Sequence, residues 1–254
     1  MDQWLIDTIE EIQSSGDVSD IKTVLVKIRE YFEFANVTYA VKLPQTFTQS
    51  SLLLISDYPV EWFKRYGEQG YINVDPVVSH CLNSQTPYEW QRFKEHSKKE
   101  VIDFVGEADE FKLRDGISVG MPSFDGKPGL ISLASDHQLT LSHRQRHQIN
   151  ICLNTLQPFL HTRICQVTDT SQQSNISIHL TEREKTCLVW VAEGKTAHDI
   201  AAILVVSEAT VVFHLKNAIQ KLDVTNRSQA IARAVLLGLI TPQFTGRSVP
   251  TYHF

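Results

Sequence analysis

Cysteine is scarce in this chain. Cys81, Cys152, Cys165 and Cys187 are scattered over 254 residues, with no C-x-x-C pair. No histidine stands at zinc spacing from them, so buried reduced thiols in a cytoplasm fit better than a structural disulfide or a metal site. There is no basic, apolar and cleavable segment at the start and no apolar run of membrane-spanning length. A cytoplasmic protein without a membrane partner is therefore expected. A large charge excess is missing too, at −5 overall, but the balance is uneven. Residues 1–165 carry 16 Lys+Arg against 22 Asp+Glu, a net −6, while residues 178–240 carry 7 against 6, a net +1. What remains is 42% hydrophobic and 21% charged, as expected of one large domain or two modest ones with a real core.

Residues 180–240 are dense in helix start and stop signals. Thr181 with Glu184 spells a capping box, and Gly194 supplies a stop. Thr196 opens a second helix with Ile200, Ala201 and Leu204 on one face. Ser207, after a Val205-Val206 turn, caps a longer helix reaching about Leu222; Thr225 starts a fourth that Gly238 ends. Two short helices across a tight turn, the second exposing His214, Lys216, Asn217 and Lys221, form a helix-turn-helix reader of DNA. A helical bundle docking onto protein fits the same spacing.

Leu180-Thr181, Arg183-Glu184, Leu188, Gly194-Lys195-Thr196, Ile200-Ala201, Ser207, Thr210-Val211, Phe213-His214, Asn217, Lys221-Leu222 and Gly238-Leu239-Ile240 together resemble the DNA-binding domain of the LuxR family of bacterial regulators. The third helix is then expected in the major groove of promoter DNA. Thr210, His214, Lys216 and Asn217 are the candidates for base or phosphate contact, and Lys195, Thr196 and Lys221 for the backbone. Val212 departs from the family, in which a polar or cationic residue often stands there. A nearly neutral head must place a few cations at phosphates and double its contacts by dimerising.

The polar run 166–177 (QVTDTSQQSNIS) reads as a linker between domains at 1–165 and 178–240, and 241–254 as a loosely ordered tail. Within 1–165, Trp4, Leu5, Ile9 and Ile12 suggest one amphipathic helix, and Ile21, Leu25, Ile28, Tyr31 and Phe32 another. Strand-like runs follow at Val37–Val41 and Leu52–Ser56; Ile117–Ser123 and Leu130–Ser135 flank an Asp125-Gly126 turn signal. A long helix is expected from Leu141 to about Ile164, bent at Pro158. The fold class expected is α+β: an α/β/α sandwich around an antiparallel sheet, followed by an all-α four-helix helix-turn-helix domain.

Residues 57–76 crowd Tyr58, Trp62, Tyr66 and Tyr71 ahead of Asp75-Pro76. At spacings of four, Tyr58, Trp62 and Tyr66 would share one helical face. They suit a pocket that is apolar on its walls and polar at one end. A plain aromatic core stripe fits as well, and Asp-Pro is also a good helix start, with Asp as N-cap. Both readings of Asp75 hold only if one carboxylate oxygen caps while the other faces a pocket.

The pattern Tyr58-Pro59, Trp62, Tyr66, Tyr71, Val74-Asp75-Pro76, Trp90 and Gly116 is similar to the ligand-binding domain of LuxR-type quorum-sensing receptors, which bind acyl-homoserine lactones. The resemblance implies that Asp75 accepts from the ligand amide N–H, Tyr58 donates to the amide carbonyl with help from Ser132, and Trp62 donates to the lactone carbonyl. Tyr66 and Trp90 would wall the head group. Val77 stands where some relatives carry a hydroxyl, and Gly120 aligns where many carry proline, unless Pro122 is the counterpart of that proline. It further implies a homodimer, with residues 141–164 as its best surface, whose ligand favours the folded form and which acts on promoters with RNA polymerase. The ligand replaces any cofactor or metal. A receptor of the same architecture responding to another small molecule, or to none, is the alternative.

Gly116-Ile117-Ser118-Val119-Gly120 also matches G-x-S-x-G, the nucleophile elbow of hydrolases, and raises a lactone-hydrolysing enzyme as a remote alternative. The approach is charged and the exit is rich in helix breakers, so a strand-to-helix elbow is not expected and the protein is read as a non-enzyme.

Overall fold

Two amphipathic helices open the chain, as their spacing predicts. In the computed structural model, which describes residues 3–44, 49–96, 98–123, 126–172 and 178–241, α1 (Gln3–Ser14) buries Leu5, Thr8 and Ile12. Helix α2 (Val18–Tyr31) buries Ile21, Val24, Leu25 and Ile28, and Asp17 caps it by accepting from the amides of Ser19 and Asp20. Strands β1 (Asn36–Pro44) and β2 (Ser50–Ser56) follow, then α3 (Val60–Glu68), α4 (Pro76–Cys81), β3 (Tyr88–Glu89), α5 (Lys99–Glu110), β4 (Asp115–Met121), β5 (Gly129–Ser135) and α6 (His143–Gln172). The sheet order is β2-β1-β5-β4-β3, and β1–β5, β5–β4 and β4–β3 pair antiparallel.

The two-residue side-chain period sorts the sheet into two faces. Val37, Tyr39, Val41, Ile131 and Leu133 join α1, α2 and α6 in one core. Ala40, Leu130 and Ala134 face the other way, against the aromatics of α3 and α5. The sheet is thus covered on both sides, as the α/β/α expectation has it.

Two boundaries differ from expectation. Helix α6 starts at His143, passes through Pro158 and continues to Gln172, so the first part of the expected linker is helical. Its polar composition hides an anchor: Val167 and Thr168 are buried, and Thr168 Oγ1 donates to Ile164 O at 2.7 Å. In the fourth reader helix the cap is Asn226, which accepts from Gln229 N, while Thr225 Oγ1 donates to Gln229 Oε1. Asp125, residues 173–177 and the tail beyond Thr241 lie outside the described residues.

The chain divides into two compact units, with the main boundary between residues 175 and 176. The second comprises α7 (Glu182–Ala192), α8 (Ala197–Leu204), α9 (Glu208–Lys221) and α10 (Arg227–Leu236). Thr181 with Glu184, and Thr196 with Asp199, form complete capping boxes, and Ser207 caps α9 through Thr210 N. Gly194 ends the α7 segment at φ +77°. Helices α8 and α9 meet at 110°, within the helix-turn-helix range. Leu188, Ile200, Val211, Leu215, Ala218 and Ala234 fill the centre of this bundle.

Candidate ligand cavity and nucleic-acid interface

The cavity lies between the β1–β5 face of the sheet and helices α3 to α5. About 690 Å³ of space there, counting its open mouth, is not filled by atoms. Ala40, Leu52, Leu54, Phe63, Val77, Val78, Phe93, Phe104, Ala108, Leu113 and Leu130 make the wall apolar. Thr38, Tyr58, Trp62, Tyr66, Asp75, Trp90 and Ser132 bring the polar atoms.

Asp75 resolves its two sequence readings by doing both. Oδ1 accepts from Val77 N at 2.8 Å and caps α4, while Oδ2 accepts from Tyr66 Oη at 3.0 Å. The carboxyl is buried, and loss of hydration raises it from 3.8 to about 6. The Val77 and Val78 amides and the Tyr66 hydroxyl pull the other way and fall short.

Tyr58 is not on the helix that its spacing suggested. Pro59 is the N-cap of α3, so Tyr58 precedes it and only Trp62 and Tyr66 share the helix. Asp57 holds the tyrosine in place: its Oδ1 accepts from Val37 N at 2.6 Å and its Oδ2 pairs with Arg29 of α2. Tyr58 Oη is buried at the cavity wall, a donor without a hydrogen-bond partner among the described residues. Burial and the carboxylates of Asp57 and Asp75 hold its phenol well above the ordinary value, so it stays a donor. Trp62 is clamped by Tyr66, Tyr71, Phe104 and Phe111, at ring separations of 5.5 to 6.0 Å.

In the second unit, Lys195, Thr196 and Lys216 are exposed, and Thr210, His214 and Asn217 are half-buried along the start and middle of α9. Val212 is 43% exposed on the same helix. Three of the DNA candidates already have partners; one is Thr210, whose hydroxyl hydrogen-bonds Ser207 Oγ at 2.7 Å. Thr196 Oγ1 donates to Asp199 Oδ2, and Lys221 Nζ donates at 2.8 Å to Glu184, whose side chain is only 3% exposed. Lys221 therefore ties α9 to α7, a role its charge alone did not reveal.

Residues 17–164 match the autoinducer binding domain, and residues 179–234 match the domain of bacterial regulatory proteins of the luxR family. The chain is 33% identical to the transcriptional activator AnoR of Acinetobacter nosocomialis, over 94% of this chain and all of that one. The chain belongs to the LuxR family. This LuxR-family protein is also 34% identical to the transcriptional activator LuxR of Aliivibrio fischeri ES114, over 91% of this chain and 92% of that one. Its fold is that of Escherichia coli SdiA, at TM-score 0.80, 23% identity, and 94% and 99% coverage of the two chains. It is a quorum-sensing regulator with an autoinducer-binding and a DNA-binding domain. No single helix among the described residues is long and apolar enough to cross a membrane, and no three metal-ligating side chains cluster among them.

Three features of this LuxR-family cavity escape sequence reasoning. Tyr66 is not merely a wall but the hydrogen-bond partner of Asp75. Gly116 is not among the residues lining this cavity; a Cβ there would stand 2.5 Å from Leu133 O and 2.9 Å from the Trp90 ring, so its absence makes room for both the neighbouring strand and the indole. Ser118, the centre of the G-x-S-x-G match, sits inside β4 and not on a strand-to-helix elbow. Its hydroxyl accepts from Trp90 Nε1 at 2.9 Å and contacts Ser132 Oγ at 2.6 Å. Either hydroxyl can donate in the Ser118–Ser132 bond; with Ser118 as the donor, the Ser132 proton is free to point into the cavity.

Proposed function

We propose that the cavity binds an acyl-homoserine lactone, and that the protein then acts as a cytoplasmic homodimer on promoter DNA with RNA polymerase. The observation that carries the reading is the pairing, in one apolar cavity, of an acceptor (Asp75 Oδ2) with an orphaned buried donor (Tyr58 Oη). A secondary amide presents the complement, one N–H and one carbonyl. Asp75 accepts the amide N–H, Tyr58 and Ser132 donate to the amide carbonyl, and Trp62 Nε1 donates to the lactone carbonyl. Tyr66 orients the Asp75 carboxylate, Val77 and Trp90 close the walls, and Gly116 seats Trp90. The ligand domain is residues 1–165 and the DNA-binding domain 178–240. The protein holds the lactone without hydrolysing it: Ser118 hydrogen-bonds Trp90 and Ser132 instead of a general base. Titration of the intrinsic tryptophan fluorescence with N-octanoyl-homoserine lactone, and with its ring-opened acid, tests this. Saturable quenching by the lactone alone is expected; no response to lactones of any length contradicts it.

Binding should depend on pH. Because the folded value of Asp75 is raised, its contribution to stability is complete below its ordinary value of 3.8 and is lost as pH rises through about 6. The ligand amide bonds the ionised form, so binding expels the proton. Lactone affinity is expected to fall about tenfold from pH 7 to pH 5. A flat profile by calorimetry over that range would remove Asp75 as the amide acceptor.

The reader makes its own contrast. Lys216 has no ion pair among the described residues, so Lys216→Ala should weaken DNA binding and lower its salt slope by about 1 without moving the melting temperature. Lys221→Met should instead destabilise the reader by about 2 kcal/mol, because Glu184 is left buried and unpaired. Gel shifts at two salt concentrations, beside melts, separate the two roles; identical behaviour of both variants contradicts the assignment.

A further inference from the structure

Three hydroxyl residues run in a row across the sheet. Thr38 on β1 stands opposite Ser132 on β5, which stands opposite Ser118 on β4. Ser118 and Ser132 hydrogen-bond each other. Thr38 does not share in this. Its Oγ1 is buried and has no hydrogen-bond partner among the described residues, yet the residue lines the cavity. Buried hydroxyls are nearly always paired, so one left open on a cavity wall marks where a ligand oxygen belongs.

The register says which oxygen. Directly opposed residues of antiparallel strands hold their Cβ atoms roughly 4.5–5.5 Å apart. Hydroxyls on such a pair reach two oxygens borne on carbons in a 1,3 relation. If Ser132 serves the amide carbonyl, carbon 1 of the acyl chain, its 1,3 neighbour is carbon 3. We infer that Thr38 hydrogen-bonds an oxygen on carbon 3, so that the ligands are 3-oxo- or 3-hydroxyacyl-homoserine lactones in preference to unsubstituted ones. A threonine hydroxyl both donates and accepts, so ketone and alcohol are each served. An unsubstituted methylene would leave Oγ1 as open as it is now. The inference rests on the lactone reading of the cavity.

Calorimetric titration of the full-length protein with unsubstituted, 3-oxo and 3-hydroxy lactones of one chain length tests it. The wild type is expected to prefer at least one oxygenated lactone by about tenfold, the value of one hydrogen bond. Thr38→Val, which keeps the shape and removes the hydroxyl, should erase that preference by weakening only the oxygenated ligand, and Thr38→Ser should restore it. Equal binding of all three by the wild type, or a preference that survives Thr38→Val, overturns the role of Thr38 and leaves the lactone reading intact. Failure of every lactone to bind overturns both. Should Thr38→Val not fold, the selectivity of the wild type and of Thr38→Ser decides the matter.

Discussion

An Asp75→Asn protein should fold, melt no lower than its parent in the absence of ligand, and lose its response to lactone. Asparagine is as good an N-cap as aspartate, so the bond to Val77 N that starts α4 survives. The change falls on the other oxygen. With the amide carbonyl committed to Val77, the NH2 group takes the place of Oδ2, where Tyr66 Oη and the ligand amide N–H both need an acceptor. A charge-assisted bond is lost and two donors are opposed, which together cost roughly 3 kcal/mol or more and reduce affinity at least a hundredfold. Without ligand the balance reverses. Burial raises Asp75 from 3.8 to about 6, equivalent to about 3 kcal/mol against the charged form at neutral pH. Removing that charge offsets the lost Tyr66 bond. A separation of apo stability from ligand response is the expected signature; a variant that still shifts its melt with lactone would remove Asp75 from recognition.

The second large effect lies behind the cavity. A Cβ on Gly120 would meet Cys81 O at 2.0 Å and Ser84 O at 2.3 Å, both backbone atoms that no rotamer change can move. Gly120→Ala must therefore push the end of α4 away from β4, at a cost of about 3 kcal/mol, or on the order of 10 °C in melting temperature. Because Asp75 caps α4 and Val77 lies within it, lactone affinity should fall with it. Gly106→Ala is the control. That glycine lies inside α5 with nothing within 4 Å of its missing Cβ, so alanine should stabilise by about 0.5–1 kcal/mol. Equal effects of the two variants would mean that the close approach at Gly120 does not constrain the fold.

Legibility in the sequence followed the range of the interactions. Capping boxes, helix stops and the alternation of β1 and β5 are written within a few residues, and Thr181, Thr196 and Ser207 cap where they were expected to. Asp75 was readable as a cap because that role is local to the Asp-Pro pair, whereas its place on the cavity wall is set by packing that the pair does not encode. Whatever depended on a partner far along the chain was not. Lys221 reads as a DNA contact until Glu184, 37 residues away, is seen to hold it. Thr38 carries no local signal, because only the register with Ser132 puts it on the cavity. The helical start of the presumed linker was masked by polar composition around one buried Val167–Thr168 anchor. Gly120 read as a departure from relatives with proline, and only the approach of the Cys81 and Ser84 carbonyls says why a side chain is excluded.

The most direct measurement is a thermal melt of the purified protein against acyl-homoserine lactones of graded chain length. At a hundredfold excess over the dissociation constant, ligand that binds only the folded state adds about 2.7 kcal/mol, or roughly 5–10 °C for a chain of this size. The expected result is a shift of that order peaking at one chain length, because an apolar wall of fixed extent fits one length best. A flat response across the whole panel, from protein that melts cooperatively without ligand, would contradict the cavity's assignment as a lactone site.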